Sequence, residues 1–159
     1  TAVKTGASTY DWAVSDSGLN WDIAVGAWST TSGLNVARYY LAGCGDVNNA
    51  LSFGGWNGSA NLSTTEIWSG SSWATTSSMN VARNDLAGCG DVNNALSFGG
   101  YNGSYLSTTE KWSGSSWATT SALNVARYHL AGCGDVNNAL SFGGKNGSVL
   151  STTEKWMKK

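Results

Sequence analysis

The side chains of this sequence that could act as acids, bases or anion ligands recur at fixed intervals. Each of three similar segments carries one arginine and one glutamate at matching places: Arg38, Arg83, Arg127, Glu66, Glu110 and Glu154. Two carboxylates that face one substrate can serve as general acid and base. A glutamate repeated on every segment, however, is held in the same surroundings each time. We therefore predict that each glutamate accepts hydrogen bonds from the backbone or from the arginine of a segment.

The three cysteines also recur, at Cys44, Cys89 and Cys133, which are 45 and then 44 residues apart. Because the repeat holds equivalent positions apart on separate strands, we predict buried free thiols rather than disulfides. A metal centre needs further ligands, but His129 is the one histidine of the sequence and no CxxC or HxxxH spacing occurs. The sequence thus predicts no metal site, no cofactor and no catalytic residue.

Three aspartates, Asp46, Asp91 and Asp135, each lie in the sequence GDVNN. Aspartate and asparagine favour tight turns because their side chains hydrogen-bond to the nearby backbone. We predict turns at these sites rather than calcium ligands.

Composition limits the classes of partner. The 159 residues have a net charge of -1 and only 12% of them are charged, so the chain lacks the basic field that attracts nucleic acid or anionic lipid. No apolar run reaches the roughly 18 residues that span a bilayer. We therefore expect neither a nucleic-acid partner nor a membrane partner. The 9 Trp, 21 Gly and absence of Pro suit short strands joined by turns, which predicts an all-β protein.

The sequence of residues 37–55 recurs at 82–100 and again at 126–144. In the second repeat four short segments have strand composition and are bounded by turn residues; they are residues 83–90, 95–99, 108–113 and 116–121. One four-stranded sheet per repeat is therefore predicted. Six apolar side chains of the second strands should fill the space between consecutive sheets: Leu51, Phe53, Leu96, Phe98, Leu140 and Phe142.

The motif that follows the second strand of each repeat resembles that of a known family. A Gly-Gly pair ends the second strand, and Glu-x-Trp with another Trp five residues later follows, as in Glu110, Trp112 and Trp117, before the arginine that opens the next inner strand. Over about residues 26–156 this pattern resembles the kelch repeat, with Trp where kelch repeats usually have Tyr and without their usual Pro. The resemblance implies a kelch-type β-propeller with three four-stranded blades per chain. The amino-acid sequence of the repeat is also similar to that of kelch-like arrays in bacteriophage and metagenomic structural proteins. This similarity implies a virion or extracellular location.

The third repeat lacks its outermost strand, and residues 26–31 match that strand as it occurs at 115–120. Because propellers have 4 to 8 blades, we predict a homodimer that closes a six-bladed ring, in which the strand of Trp28 completes the partner's blade of Trp156. The alternative is that the chain is a piece of a longer array. Residues 26–159 are the predicted half propeller, and residues 1–25 are either an N-terminal arm or a degenerate strand.

The resemblance gives the arginines a second interpretation. In kelch proteins the equivalent arginine lies near the mouth of the central channel, where some members bind acidic partners with it. Arg38, Arg83 and Arg127 would then form an anion site. In the alternative, each arginine is bonded to strand carbonyls or to the blade glutamate, and the sequence leaves both interpretations open.

The positions at which the repeats differ fall in two connections, the link into the first strand and the link between the second and third strands. In an up-and-down sheet both links emerge on one face, which we predict to be the binding face. Its aromatic side chains offer rigid contact area to sugar rings or protein. Together with the arginines, the candidate ligand-binding residues are Tyr39, Tyr40, Trp56, Tyr101, Tyr105, Tyr128 and His129.

The function predicted is a non-enzymatic interaction module that recognises protein or glycan, such as a structural protein of a phage or bacterial surface. One alternative is a kelch-type oxidase or sugar isomerase with an active site at the channel mouth, where Asp85, Tyr128 and His129 break the repeat. The single histidine argues against the copper oxidases, whose metal needs more than one. The other alternative is a purely structural array without a ligand.

Overall fold

The computed structural model describes residues 27–158. The chain divides into two units, residues 1–30 and residues 31–159, and all of the strands belong to the second unit. The predicted arm or degenerate strand of residues 1–25 lies outside the described residues. No helix of the described part is long and apolar enough to cross a membrane.

Residues 27–158 form eleven strands in three antiparallel sheets and contain no helix. Sheet 1 consists of β1 (Ala42–Gly45), β2 (Ala50–Phe53), β3 (Thr65–Trp68) and β4 (Trp73–Thr76). Sheet 2 consists of β5 (Ala87–Gly90), β6 (Ala95–Phe98), β7 (Thr109–Trp112) and β8 (Trp117–Thr120). Sheet 3 consists of β9 (Ala131–Gly134), β10 (Asn138–Phe142) and β11 (Thr153–Met157). Within each sheet, every strand pairs with the next along the chain. Residues 27–158 contain strands and no helix, which confirms the prediction of an all-β protein.

The four strands predicted in the second repeat are present, but the first begins at Ala87 and not at residue 83. Residues 83–86 belong to no strand, and the left-handed backbone of Asp85, with a φ of 52°, is incompatible with an extended strand at that position. Sheet 3 has three strands, so β11 forms its outer edge among the described residues. Residues 27–32, which match the outer strand of the other repeats, form no strand in the single chain.

Apolar side chains fill the junction between each pair of consecutive sheets. Between sheets 1 and 2, Leu51 and Phe53 pack with Ala95, Trp112 and Trp117. Between sheets 2 and 3 the equivalent residues recur, as Leu96 and Phe98 pack with Leu130 and Ala139. The first strands β1, β5 and β9 lie next to one another. The pleat of each second strand therefore directs its leucine and phenylalanine towards the following sheet.

Leu140 and Phe142 of the third repeat lack this packing within the single chain, where each is 39% exposed. No sheet follows sheet 3 among the described residues, so the outward side of β10 has nothing to pack against. The cysteines also differ in burial, and the prediction of a buried thiol is wrong for Cys133 in the single chain. All three are free, but Cys89 is buried, Cys44 is half-buried and Cys133 is exposed.

The three aspartate turns are present. Asp46 Oδ1 accepts hydrogen bonds from the backbone N–H groups of Asn48 and Asn49, at 2.7 and 3.0 Å. Asp91 and Asp135 do the same in their own turns. These turns join the first and second strands at one end of each sheet, so the links between second and third strands emerge at the opposite end.

Candidate functional site

The arginines and glutamates of the repeats form buried pairs within each sheet. Arg83 Nη2 lies 3.1 Å from Glu110 Oε1, and both side chains are completely buried. Arg38 pairs with Glu66 and Arg127 pairs with Glu154 in the same way. The side chains of all three arginines are inaccessible to solvent. The three guanidinium groups therefore lie inside the sheets, each beside the carboxylate of a glutamate.

Each glutamate is also a cap for the segment that leads into its sheet. Glu110 Oε2 accepts hydrogen bonds from the backbone and side-chain N–H groups of Asn80, at 2.7 and 2.8 Å, and Oε1 accepts one from the N–H of Val81 at 3.2 Å. Sequence reasoning missed this asparagine, although Asn-Val-Ala-Arg occurs before every first strand. The structure thus supports the predicted hydrogen-bonding role of the glutamates, with Asn35 and Asn124 as the equivalent donors.

The buried pairs shift the acid–base properties of their members. Burial lowers the pKa of Arg83 to about 10, although Glu110 acts in the opposite direction. Burial alone would raise the pKa of Glu154. Hydrogen bonds from Asn124, Val125 and Arg127 outweigh it and hold that pKa below its ordinary value. At neutral pH the Glu154 site is therefore suited to a charged carboxylate.

The variable positions meet at one end of the sheets, opposite the aspartate turns. Tyr39 pairs with Trp56 through two backbone hydrogen bonds of 3.0 and 2.8 Å. Asn84 and Tyr101 form the equivalent pair in sheet 2, and Tyr128 and Lys145 form it in sheet 3. In each case the link into the first strand is joined to the link between the second and third strands. The two connections that differ between repeats are thus held side by side.

Six aromatic rings at this end form a continuous series across the three sheets. Their ring centroids are 4.6 Å apart for Tyr39–Tyr40, 6.0 Å for Tyr40–His129, 4.4 Å for His129–Tyr128, 5.7 Å for Tyr128–Tyr101 and 5.2 Å for Tyr128–Tyr105. The rings of Tyr105 and Tyr128 are parallel to within 2°. We call this series, together with Trp56 beside Tyr39, the aromatic surface; the side chains of Tyr39, Tyr40, Tyr105 and His129 are 41–52% exposed. The structure brings together every predicted binding residue except the arginines.

The backbone beneath the aromatic surface is strained at three equivalent places. Tyr40, Asp85 and His129 have φ angles of 55°, 52° and 53°, and they are the non-glycine residues of the described chain with positive φ. This left-handed conformation costs about 1–2 kcal/mol for a residue with a Cβ. Backbone hydrogen bonds compensate, since Asp85 N–H donates to Tyr40 O at 2.9 Å and His129 N–H donates to Asp85 O at 3.0 Å. The series thereby links each sheet to the next.

No protein-family model matches this chain. No curated protein matches it either. The role of the aromatic surface is therefore inferred from the chemistry of its own residues.

One pair of ionisable side chains lies within the aromatic surface. Asp85 Oδ1 is 2.9 Å from His129 Nδ1, and the aspartate side chain is 9% exposed whereas the histidine is half exposed. Burial raises the pKa of Asp85, and the neighbouring His129 partly offsets that rise. The sequence marked both residues as breaks in the repeat but gave no sign of their contact, which arises because equivalent positions of sheets 2 and 3 are adjacent.

Metal sites and reactive thiols were also sought in the part of the chain that the structure describes. Residues 27–158 contain no group of three or more His, Cys, Asp or Glu side chains that could hold a metal ion. Burial raises the pKa of Cys44 to about 12 and that of Cys89 to about 11, so neither thiol is a nucleophile at neutral pH. The aromatic surface and the adjoining Asp85–His129 pair together bring six aromatic rings and two ionisable side chains to one end of the sheets.

Proposed function

We propose that the protein is a non-enzymatic binding module and that its aromatic surface binds a glycan. The observation that carries the proposal is the continuous series of six rings across three sheets. Exposed tyrosine rings offer apolar faces to the C–H groups of sugar rings, and their hydroxyl groups remain free to hydrogen-bond. Asp85 and His129 add polar groups that would orient the sugar hydroxyls.

The backbone strain supports this location. Left-handed non-glycine residues are uncommon, and where they cluster they often mark binding or catalytic sites. Of the three such residues in the described chain, Tyr40 and His129 belong to the aromatic surface and Asp85 contacts His129. The opposite end of the sheets instead consists of aspartate turns that satisfy their own backbone N–H groups.

We further propose that the three sheets are blades of a kelch-type β-propeller and that a second copy completes a six-bladed ring. Two features support closure by association. The outward side of sheet 3 exposes Leu140 and Phe142, whose equivalents in sheets 1 and 2 are buried against a following sheet. The outer edge of sheet 3 also ends at β11, whereas the other two sheets have a fourth strand. Exposed apolar faces and open strand edges favour association.

The binding proposal is tested on a glycan array with the intact chain and with the triple variant Tyr101→Ala, Tyr105→Ala, Tyr128→Ala. We expect the wild type to capture a defined set of glycans and the variant to bind them at least tenfold more weakly. A matched control changes three exposed residues of the opposite end: Val47→Ala, Asn93→Ala and Asn137→Ala. Circular dichroism and thermal unfolding establish that both variants fold. The proposal fails if the wild type captures no glycan, or if both triple variants retain or lose capture equally. Capture of a protein alone, at the same surface, would overturn the glycan as ligand.

A further inference from the structure

The junction between sheets 1 and 2 contains a seat for the tryptophan of an outer strand. Trp117 belongs to β8 of sheet 2, yet its indole N–H donates a hydrogen bond of 2.9 Å to the hydroxyl of Thr65 in sheet 1. Its ring meets Phe53 of sheet 1 nearly edge to face at 5.0 Å, and Trp112 of its own sheet lies 5.5 Å away. Trp117 is 6% exposed and Thr65 is completely buried. The outer strand β8 of sheet 2 thus contacts the preceding sheet 1 through Trp117.

The equivalent seat between sheets 2 and 3 is an open cleft. Phe98 and Thr109 correspond to Phe53 and Thr65, and Trp156 corresponds to Trp112. All three line a cleft that opens to solvent beside the free edge of β11, and Phe98 and Thr109 are each 3% exposed at its base. Its chemistry is that of the filled seat: an aromatic face, a threonine hydroxyl able to accept a hydrogen bond, and a strand edge able to pair.

One segment of the chain has the sequence that this cleft requires. Residues 28–31 have the sequence Trp-Ser-Thr-Thr, which differs at one position from the Trp-Ala-Thr-Thr of β4 and β8. Trp28 precedes Arg38 by ten residues, as Trp73 precedes Arg83 and Trp117 precedes Arg127. The side chain of Trp28 is fully exposed, at 105%.

The order of the chain decides which copy supplies the strand. β4 belongs to sheet 1 and leads into sheet 2, and β8 belongs to sheet 2 and leads into sheet 3. The segment of Trp28 leads into sheet 1, where Asn35 and Arg38 are bonded to Glu66. By the same rule its strand belongs to a sheet that precedes sheet 1, and this chain has no such sheet among its described residues.

We propose that the strand of Trp28 from a second copy pairs with β11, and that the Trp28 indole enters the cleft and donates a hydrogen bond to Thr109 Oγ1. This inference rests on the proposed closure of the ring by a second copy and specifies the contact that fixes it. The register follows from sheets 1 and 2, where Trp73 is opposite Trp68 and Trp117 is opposite Trp112. Trp28 is accordingly opposite Trp156, and Ser29 is opposite Lys155.

A cross-link tests this register in the intact chain. The variant Ser29→Cys, Lys155→Cys is made together with Cys133→Ala, which removes the exposed native thiol; directly opposed strand residues lie within disulfide range. Under mild oxidation we expect a covalent dimer on a non-reducing gel. The control pair Thr31→Cys, Lys155→Cys is two residues out of register, and we expect it to cross-link at least tenfold more slowly. An intrachain disulfide, or equal rates for the two pairs, would overturn the proposal.

Association is measured in parallel by light scattering and sedimentation. Trp28→Ala is expected to weaken dimerisation about 100-fold or more, since it removes a buried indole. Thr109→Val is expected to weaken it about tenfold, whereas Thr109→Ser, which keeps the hydroxyl, has a smaller effect. A wild-type monomer at all concentrations would overturn both ring closure by a second copy and the proposed contact of Trp28. A wild-type dimer that Trp28→Ala leaves unchanged would overturn the Trp28 contact but not ring closure.

Discussion

The ring of Phe53 occupies the space that a side chain on Gly88 would need. A Cβ built on Gly88 would lie 2.4 Å from Phe53 Cζ, and one on Gly132 would lie 2.3 Å from Phe98 Cζ. The glycine of each following first strand is thus a socket for the phenylalanine of the preceding sheet. Gly43 is the equivalent glycine of sheet 1, and the strand order assigns it no phenylalanine of the same chain.

Gly88→Ala is expected to destabilise the fold by about 1–3 kcal/mol, because the added methyl group overpacks the junction against Phe53. The measurement is urea unfolding at low protein concentration, where association does not contribute. Gly43→Ala is the matched control, since its Cβ would meet a strand carbonyl at 2.9 Å much as that of Gly88 would at 3.0 Å, but no ring. Equal losses for the two variants would contradict the socket.

Glu110→Gln is expected to lower the free energy of unfolding by about 3–5 kcal/mol, because it leaves the buried charge of Arg83 unpaired. Glu154→Gln should cost less, since the Glu154 side chain is 10% exposed and solvent can partly compensate. Urea denaturation of both variants gives the comparison. A loss for Glu110→Gln no larger than that for Glu154→Gln would refute the importance of complete burial.

Acid should weaken the third sheet through Glu154. The pKa of this carboxyl in the folded chain lies below its ordinary value of 4.5, so the unfolded state takes up its proton first as the pH falls. The stabilisation is therefore fully present above about pH 4.5 and declines as the pH falls through the lower folded pKa. Unfolding free energies of the wild type and of Glu154→Gln, measured between pH 7 and pH 3, should converge in acid. A constant difference over that range would show that ionisation of Glu154 does not contribute.

The cysteines should differ in their reaction with an alkylating reagent at pH 7.5. Cys133 is exposed and should react first, while burial raises the pKa of Cys44 to about 12 and of Cys89 to about 11 and suppresses their thiolates. Mass spectrometry of the dilute native chain is expected to find one modified thiol. In a closed ring Cys133 would be covered as Cys89 is, so its modification should slow as the protein concentration rises. Modification of Cys133 at one rate at every concentration would contradict its protection by a second copy.

The periodic features of the fold could be predicted because each depends on local sequence. The strands of the second repeat, the aspartate turns and the incomplete third sheet all follow from turn residues and from the spacing of Trp112 and Trp117. The sequence did not show that β5 begins only at Ala87, nor that Arg83, just before it, contacts Glu110. Strand propensity carries no information about such a contact 27 residues away.

The candidate site was predictable in its location but not in its contacts. Differences between repeats pointed to the end of the sheets at which the aromatic rings meet, because a side chain that breaks a repeat is not needed for packing common to all copies. They could not show that Asp85 contacts His129, since this depends on how sheets 2 and 3 are placed. The arginines were ambiguous because a repeated charge fits a buried pair and a ring of ligands equally well.

The bends at Tyr40, Asp85 and His129 are held by main-chain hydrogen bonds from one sheet to the next. Three chemically unlike residues already occupy this one conformation, so the same main-chain hydrogen bonds form with different side chains at the bend. Each copy of the repeat therefore contributes a position at which the side chain differs while the main-chain hydrogen bonds between sheets are kept. A library randomised at these three codons would sample many recognition chemistries on a single unchanging framework.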